Sequence, residues 1–221
     1  MKELRRMTLE EKAGQLFFVG FRRFNPDAET EELLSLIRPG GIVFSQRNIE
    51  SIDQVQSLTG VWREKWGIPT FLAIEQEGGQ VDRLKHLFAP LPSMQRLASS
   101  GTASLRAGAR VIASQLEALG LNLNFAPVLD LSRDGGLLQD RALSASPLEV
   151  SRLGGAVIEE LARKNIIACL KHFPGLGAAH RDPHFSLPKV EQPKRLLQQE
   201  DMLPFLNLID DAAMMMISHA H

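Results

Sequence analysis

Short apolar runs alternate with amphipathic segments along this whole chain, and nearly every apolar run ends in polar or charged residues. Leu16-Phe17-Phe18-Val19-Gly20-Phe21 reads as a buried strand, and Glu29 to Ile37 as a short helix closed by Pro39-Gly40-Gly41. Ile42-Val43-Phe44 runs into Ser45-Gln46-Arg47-Asn48. Ile52, Val55, Leu58 and Trp62 then recur at helical spacing. Thr70 to Ile74 runs into Glu75-Gln76-Glu77-Gly78-Gly79. Leu105, Ala109, Ile112, Leu116 and Leu119 line one face of a helix that stops at Gly120. A strand from Asn122 to Val128 leads to Asp130. Ser146-Pro147-Leu148-Glu149 is a helix start, with Ser as cap, Pro in the first turn and Glu three residues on. Ile166 to Leu170 is the fifth strand. Lys194 to Ile209 is helical with a break near Pro204, and Met214 to Ile217 is the sixth strand.

Apolar strands alternating with amphipathic helices predict an α/β fold, a parallel sheet with helices outside it. A doubly wound sheet needs polar residues only at its switch point, whereas a barrel uses the C-terminal ends of all its strands. Polar residues after nearly every strand therefore favour a TIM (β/α)8 barrel. A complete barrel takes ~250 residues. Six strands and about five helices in 221 residues predict one barrel domain over residues 1–221, truncated after its sixth strand. Neither Gly78-Gly79 nor Gly135-Gly136 has the spacing of a dinucleotide or phosphate loop.

A net charge of −1 gives no electrostatic reason to expect nucleic acid or an anionic membrane as partner. The N-terminus reads as a capped helix around Thr8 and Glu11 rather than a secretory signal, and no apolar run has the length of a membrane span. A cytoplasmic protein is the expectation, with a removed signal left open. Cys169 is the only cysteine and lies in an apolar run, where it reads as a small buried hydrophobe. His86, His219 and His221 lack metal-ligand spacing, so neither metal nor cofactor is expected, nor is an obligate protein partner.

The densest chemistry follows the fifth strand. Lys171-His172-Phe173-Pro174-Gly175 leads into a loop that carries Asp182 and His184 two residues apart. A carboxylate bonded to one imidazole nitrogen fixes the tautomer and raises the basicity of the other, and an unperturbed imidazole titrates near ~6.5. Such a pair can exchange protons near neutral pH. Taken alone, Asp-x-His more often marks a polar turn.

Three segments carry a family resemblance: Ala73 to Leu84, Asn124 to Asp130, and Lys171 to Gly175 with Asp182-x-His184. In this order they resemble glycoside hydrolase family 3, in its β-N-acetylglucosaminidase (beta-hexosaminidase) branch. The resemblance implies removal of terminal β-linked N-acetylglucosamine by a two-step retaining mechanism, and in bacteria a place in cell-wall recycling. It implies that His184, paired with Asp182, protonates the leaving group and later activates water. Lys171 and His172 match the sugar-binding pair, and Arg141 and Arg83 match sugar-site arginines. For Lys171, pairing with a buried carboxylate stays open; for Arg141, a surface cap; for Arg83, a salt bridge to Asp82 or Glu77. Asp130 reads as a carboxylate that organises the site. Phe125, Phe173, Trp62 and Trp66 read as packing.

Three positions depart from the family pattern. Glu75 stands where Asp is usual for gripping sugar hydroxyls, Leu176 replaces a His, and Pro183 replaces a Ser. The family's nucleophilic Asp belongs to a seventh strand, beyond His221, so the chain by itself is expected to be inactive. Two other readings stay open: a non-catalytic sugar-binding or scaffolding relative, and a glycoside phosphorylase.

Overall fold

A computed structural model describes residues 4–179, 187–190 and 192–220. Among them, six parallel strands form one curled sheet in the order β1 to β6. They are β1 Phe18–Gly20, β2 Gly41–Phe44, β3 Phe71–Ile74, β4 Leu123–Asn124, β5 Ile167–Phe173 and β6 Met214–Ile217. Consecutive strands are hydrogen-bonded neighbours throughout, the topology of a (β/α) barrel opened after its sixth strand.

The helices follow from their caps and stripes. In α1 (Leu9–Gly14), Thr8 and Glu11 form a reciprocal capping box. Asp27 caps α2 (Ala28–Ile37), and Ser51 caps α3 (Ile52–Trp62). A short α4 (Met94–Ser99), which periodicity did not predict, precedes the long α5 (Thr102–Ala118). Ser146 caps α6 (Pro147–Ala162) with Pro in its first turn, as the Ser-Pro-x-Glu pattern predicts. The Lys194–Ile209 segment divides into α7 (Lys194–Leu196), a π-helical turn (Leu197–Asp201) and α8 (Leu203–Leu208), with Pro204 in the first turn of α8. Proline lacks the N–H that an uninterrupted helix would use there.

Alternation along each strand separates two apolar layers. Leu72 and Ile74 of β3, with Ala168 and Leu170 of β5, face outward into the main core beneath α3, α5 and α6, where Trp62, Leu105, Leu116 and Leu153 are buried. Ala73 and Cys169 face inward with Leu123, Phe71, Phe125 and Met214. Trp62 lies edge-on to Phe21, and Phe173 edge-on to Phe205. These four rings, Trp66 and Phe125 are packed against one or other apolar cluster.

Three strand expectations need correction, the first being the fifth strand, which runs on to Phe173 rather than ending at Leu170 and so includes Lys171 and His172. Leu16 and Phe17 precede β1 in a turn and are exposed. The fourth strand is regular only at Leu123–Asn124, not to Val128. Beyond it Pro127 has no N–H to give, and the pairing with β5 continues as single bonds: Cys169 N–H to Ala126 O, Lys171 N–H to Pro127 O, and Leu129 N–H to Lys171 O.

Candidate active site

Glu75 follows β3 and Lys171 lies near the C-terminal end of β5, and the two-residue period of each strand aims both into the barrel. Glu75 continues the inward row Phe71 and Ala73; Lys171 continues Ile167 and Cys169. They meet across β4, with Lys171 Nζ 2.8 Å from Glu75 Oε1. The same ammonium also pairs with Glu77, and Lys171 is wholly buried.

Two arginines complete the cluster. Arg141, from a short 3-10 turn after β4 (Gln139–Arg141), makes a fork to Glu77 at 2.9 Å and 2.8 Å and stands 3.6 Å from Glu75. Arg83 Nη2 is 2.5 Å from Glu75 Oε2. Glu77 is almost fully enclosed, whereas Glu75, Arg83 and Arg141 stay part-exposed. The dry floor is thus Lys171 with Glu77, and the wet rim is Glu75 with the two arginines.

Electrostatics follow from this arrangement. Burial alone would raise the Glu75 carboxyl, but Lys171 and Arg83 outweigh it and hold the group at about 2. Burial likewise opposes ionisation of Glu77, and Arg141 and Lys171 together hold it below the usual carboxylate range. Burial pulls the Arg141 guanidinium down, and Glu77 more than restores it. The Cys169 thiol, buried two residues before Lys171, is pushed up to about 11 and stays neutral.

Asp130 is fully buried and holds the turn after β5 at three points. Its Oδ2 accepts the His172 backbone N–H at 3.0 Å and lies 2.7 Å from His172 Nδ1; its Oδ1 accepts the Leu176 N–H at 2.6 Å. A carboxylate can only accept, so Nδ1 carries a proton and donates to Asp130. The Leu176 side chain is buried, and its backbone N–H is the group that Asp130 holds.

The Gly78-Gly79 turn, both residues at positive φ, lets the chain reverse tightly behind Glu77. A Cβ on Gly78 would stand 2.5 Å from Pro92 O. Asp82 accepts from Gln76 Nε2 and from the Leu84 and Leu91 N–H groups, and Gln76 Oε1 accepts the Arg83 N–H. Arg83 therefore pairs with neither Asp82 nor Glu77: those carboxylates are already engaged, and its partner is Glu75.

Among the expected site residues, Glu75, Arg83, Arg141 and Lys171 form one cluster, and Asp130 with His172 a second on the adjoining strand ends. Asp182 and His184 lie outside the described residues. Glu77 belongs to the cluster without having been singled out; its place two residues after Glu75 was the available signal. Among the described residues, no group of three His, Cys, Asp or Glu side chains could hold a metal ion, and no helix is long and apolar enough to cross a membrane.

Residues 8–221 match the model of the glycosyl hydrolase family 3 N-terminal domain. A beta-hexosaminidase of Idiomarina loihiensis is 32% identical over 197 residues, which are 87% of this chain; the chain spans 60% of that protein's length. A glycoside hydrolase family 3 β-N-acetylglucosaminidase from Paenibacillus superposes with a TM-score of 0.90 at 30% identity, over 97% of this chain and 42% of that one. NagZ from Neisseria gonorrhoeae, solved in complex with N-trifluoroacetyl-D-glucosamine, gives 0.83 at 29% identity over 92% of this chain and 63% of that one.

Proposed function

The chain belongs to glycosyl hydrolase family 3, and from that premise we propose that it forms the sugar-gripping and proton-transferring part of a β-N-acetylhexosaminidase. The observation that carries this reading is the cluster of three cations and two carboxylates at the C-terminal ends of β3 and β5. Part-exposed Arg83, Arg141 and Glu75 offer fixed donors and an acceptor at a mouth where vicinal hydroxyls can dock. Their positions are set before a sugar arrives, so little ordering is left to oppose binding. His172, oriented by Asp130, adds its other ring nitrogen, Nε2, as a further polar contact for a hydroxyl.

In this reading Asp182 and His184 form the acid/base pair. Protonated His184 gives its proton to the leaving oxygen as the first bond breaks, then takes one from water as the glycosyl-enzyme is hydrolysed. Most glycosidases use a carboxylic acid there; a histidine transfers protons nearer neutral pH. The carboxylate nucleophile is expected from the family's seventh strand. A terminal β-linked N-acetylglucosamine is the proposed substrate, and cytoplasmic cell-wall recycling the proposed setting. A non-catalytic sugar-binding relative is the second reading, motivated by Glu75 in place of Asp.

Calorimetry with N-acetylglucosamine on the 221-residue chain, beside hydrolysis of an aryl N-acetylglucosaminide, tests the reading. Binding without turnover is expected. Turnover by this chain would overturn the assignment of the nucleophile to a later strand, and absence of binding would overturn the sugar site. Hydrolysis by the gene's full-length product separates enzyme from binding relative, and product analysis with added phosphate separates hydrolysis from phosphorolysis.

A further inference from the structure

β4 is two residues long, and its second residue is an asparagine, a type depleted in strands. Asn124 is 1% exposed and lies between the strands that lead to Glu75 and Lys171. Backbone pairing of β4 with β3 reaches the Phe125 N–H, which donates to Ile74 O at 2.8 Å, and the Asn124 carbonyl is taken by the Ala126 N–H at 2.8 Å. Beyond that point the Asn124 side chain replaces the ladder. Its Oδ1 accepts the Gln76 N–H at 3.0 Å, and its Nδ2 donates to Gln76 O at 2.9 Å. A side-chain amide offers an acceptor and a donor together; a carboxylate or an alkyl group of the same shape does not.

Gln76 separates Glu75 from Glu77, so holding its N–H and its C=O fixes the backbone on which both carboxylates stand. The wholly buried Gln76 side chain passes the constraint on. Its Oε1 accepts the Arg83 N–H at 2.8 Å, and its Nε2 donates to Asp82 Oδ1 at 2.8 Å. Glu75, Glu77 and Arg83 thus depend on one amide whose own bonds go to backbone alone. Asn122, two residues earlier, makes the same kinds of bond at the opposite end of β3. Its Oδ1 accepts the Leu72 N–H at 2.7 Å, and its Nδ2 donates to Thr70 O at 3.2 Å.

We infer that Asn124 is a positioning residue of the sugar site: by clasping the backbone of Gln76 it aligns Glu75 and Glu77 on Lys171, and Arg83 on Glu75. The inference rests on the sugar-gripping reading of the cluster, and two measurements on the 221-residue chain test it. Asn124→Leu removes both bonds at nearly constant volume and leaves the Gln76 peptide unpaired. Asn124→Ser is the milder variant, for use where the first does not fold. Asn122→Leu is the control at the other end of the strand. In calorimetry with N-acetylglucosamine, the Asn124 variants are expected to bind at least ~10-fold more weakly, and Asn122→Leu within ~2-fold of the unaltered chain. In urea unfolding between about pH 7 and pH 3, the Asn124 variants are expected to flatten the acid limb. A Glu75 no longer aligned on Lys171 and Arg83 returns toward its ordinary 4.5 when folded, so its protonation ceases to favour the unfolded chain. Asn122→Leu should lower the whole curve and keep its slope. Sugar affinity and acid limb both unchanged in the Asn124 variants, or both altered equally by Asn122→Leu, would overturn the inference. Absence of sugar binding by the unaltered chain would overturn the sugar-site reading, and the acid limb by itself would then decide whether Asn124 aligns the carboxylates.

Discussion

The ammonium of Lys171, wholly buried near the end of β5, lies 2.8 Å from Glu75 Oε1 at the end of β3, with β4 between the two strands. The ion pair and a sugar-gripping role are therefore not alternatives. A lysine this deep needs a carboxylate to remain charged, and the carboxylate it shares reaches the surface of the site. Lys171→Met removes the cation and leaves Glu77 enclosed with Arg141 as its remaining partner. Breaking a buried pair from one side costs about 3 kcal/mol or more. A loss of that order is expected in urea unfolding, and Lys171→Met combined with Glu75→Gln should recover part of it. Strict additivity of the two changes would mean that the residues are not coupled.

Acid stability should carry the signature of the two glutamates. Glu75 is held at about 2 in the folded chain, below its ordinary 4.5, and Glu77 is shifted in the same direction. A depressed folded pKa contributes stability that is complete above the unfolded value and is lost as pH falls through the folded one. Unfolding free energy should hold level from neutral pH to about 5 and then fall steadily toward pH 2, with Glu75→Gln flattening the slope. An acid limb of equal steepness in the variant would show that Glu75 does not carry the effect.

Asp130→Asn tests the other cluster. The substitution keeps the shape but gives His172 Nδ1 and two backbone N–H groups a poorer acceptor. Hydrogen bonds to a charged group contribute ~1.5–3 kcal/mol, so a loss of about 2 kcal/mol is expected, with sugar affinity lowered ~10-fold as the imidazole loses its orientation. Thermal unfolding and calorimetry measure the two effects. Unchanged affinity would separate Asp130 from the sugar site.

What could be read from sequence was whatever a local period or a short motif determines. Six strands, the Ser146 cap, and the inward aim of Glu75 and Lys171 follow from alternation and capping alone. The partner of Arg83 did not, because it depends on Gln76 and two backbone N–H groups having already taken Asp82. Glu77 was signalled only by its place two residues after Glu75; its enclosure comes from Arg141 and Lys171, which the fold brings to it. The fourth strand was read too long because Pro127 sits inside an apolar run that otherwise reads as strand.

Gly177 offers a steric test of the turn that follows His172. It is buried, and a Cβ there would stand 2.2 Å from Leu131 O, a backbone atom that cannot swing aside. Its φ is not positive, so any loss on substitution comes from crowding rather than from backbone strain. Gly177→Ala should therefore destabilise by about 2 kcal/mol or more. It should also weaken N-acetylglucosamine binding, because the displaced turn is the one Asp130 anchors through His172 and Leu176. Gly60, inside α3 with nothing within 4 Å of its would-be Cβ, is the counterpart. There the same substitution should stabilise by about 0.5–1 kcal/mol through helix propensity and leave sugar binding unchanged. Calorimetric titration of both variants, with thermal melts alongside, decides the matter. If Gly177→Ala bound the sugar as tightly as the unaltered chain, the turn would not govern the placement of His172.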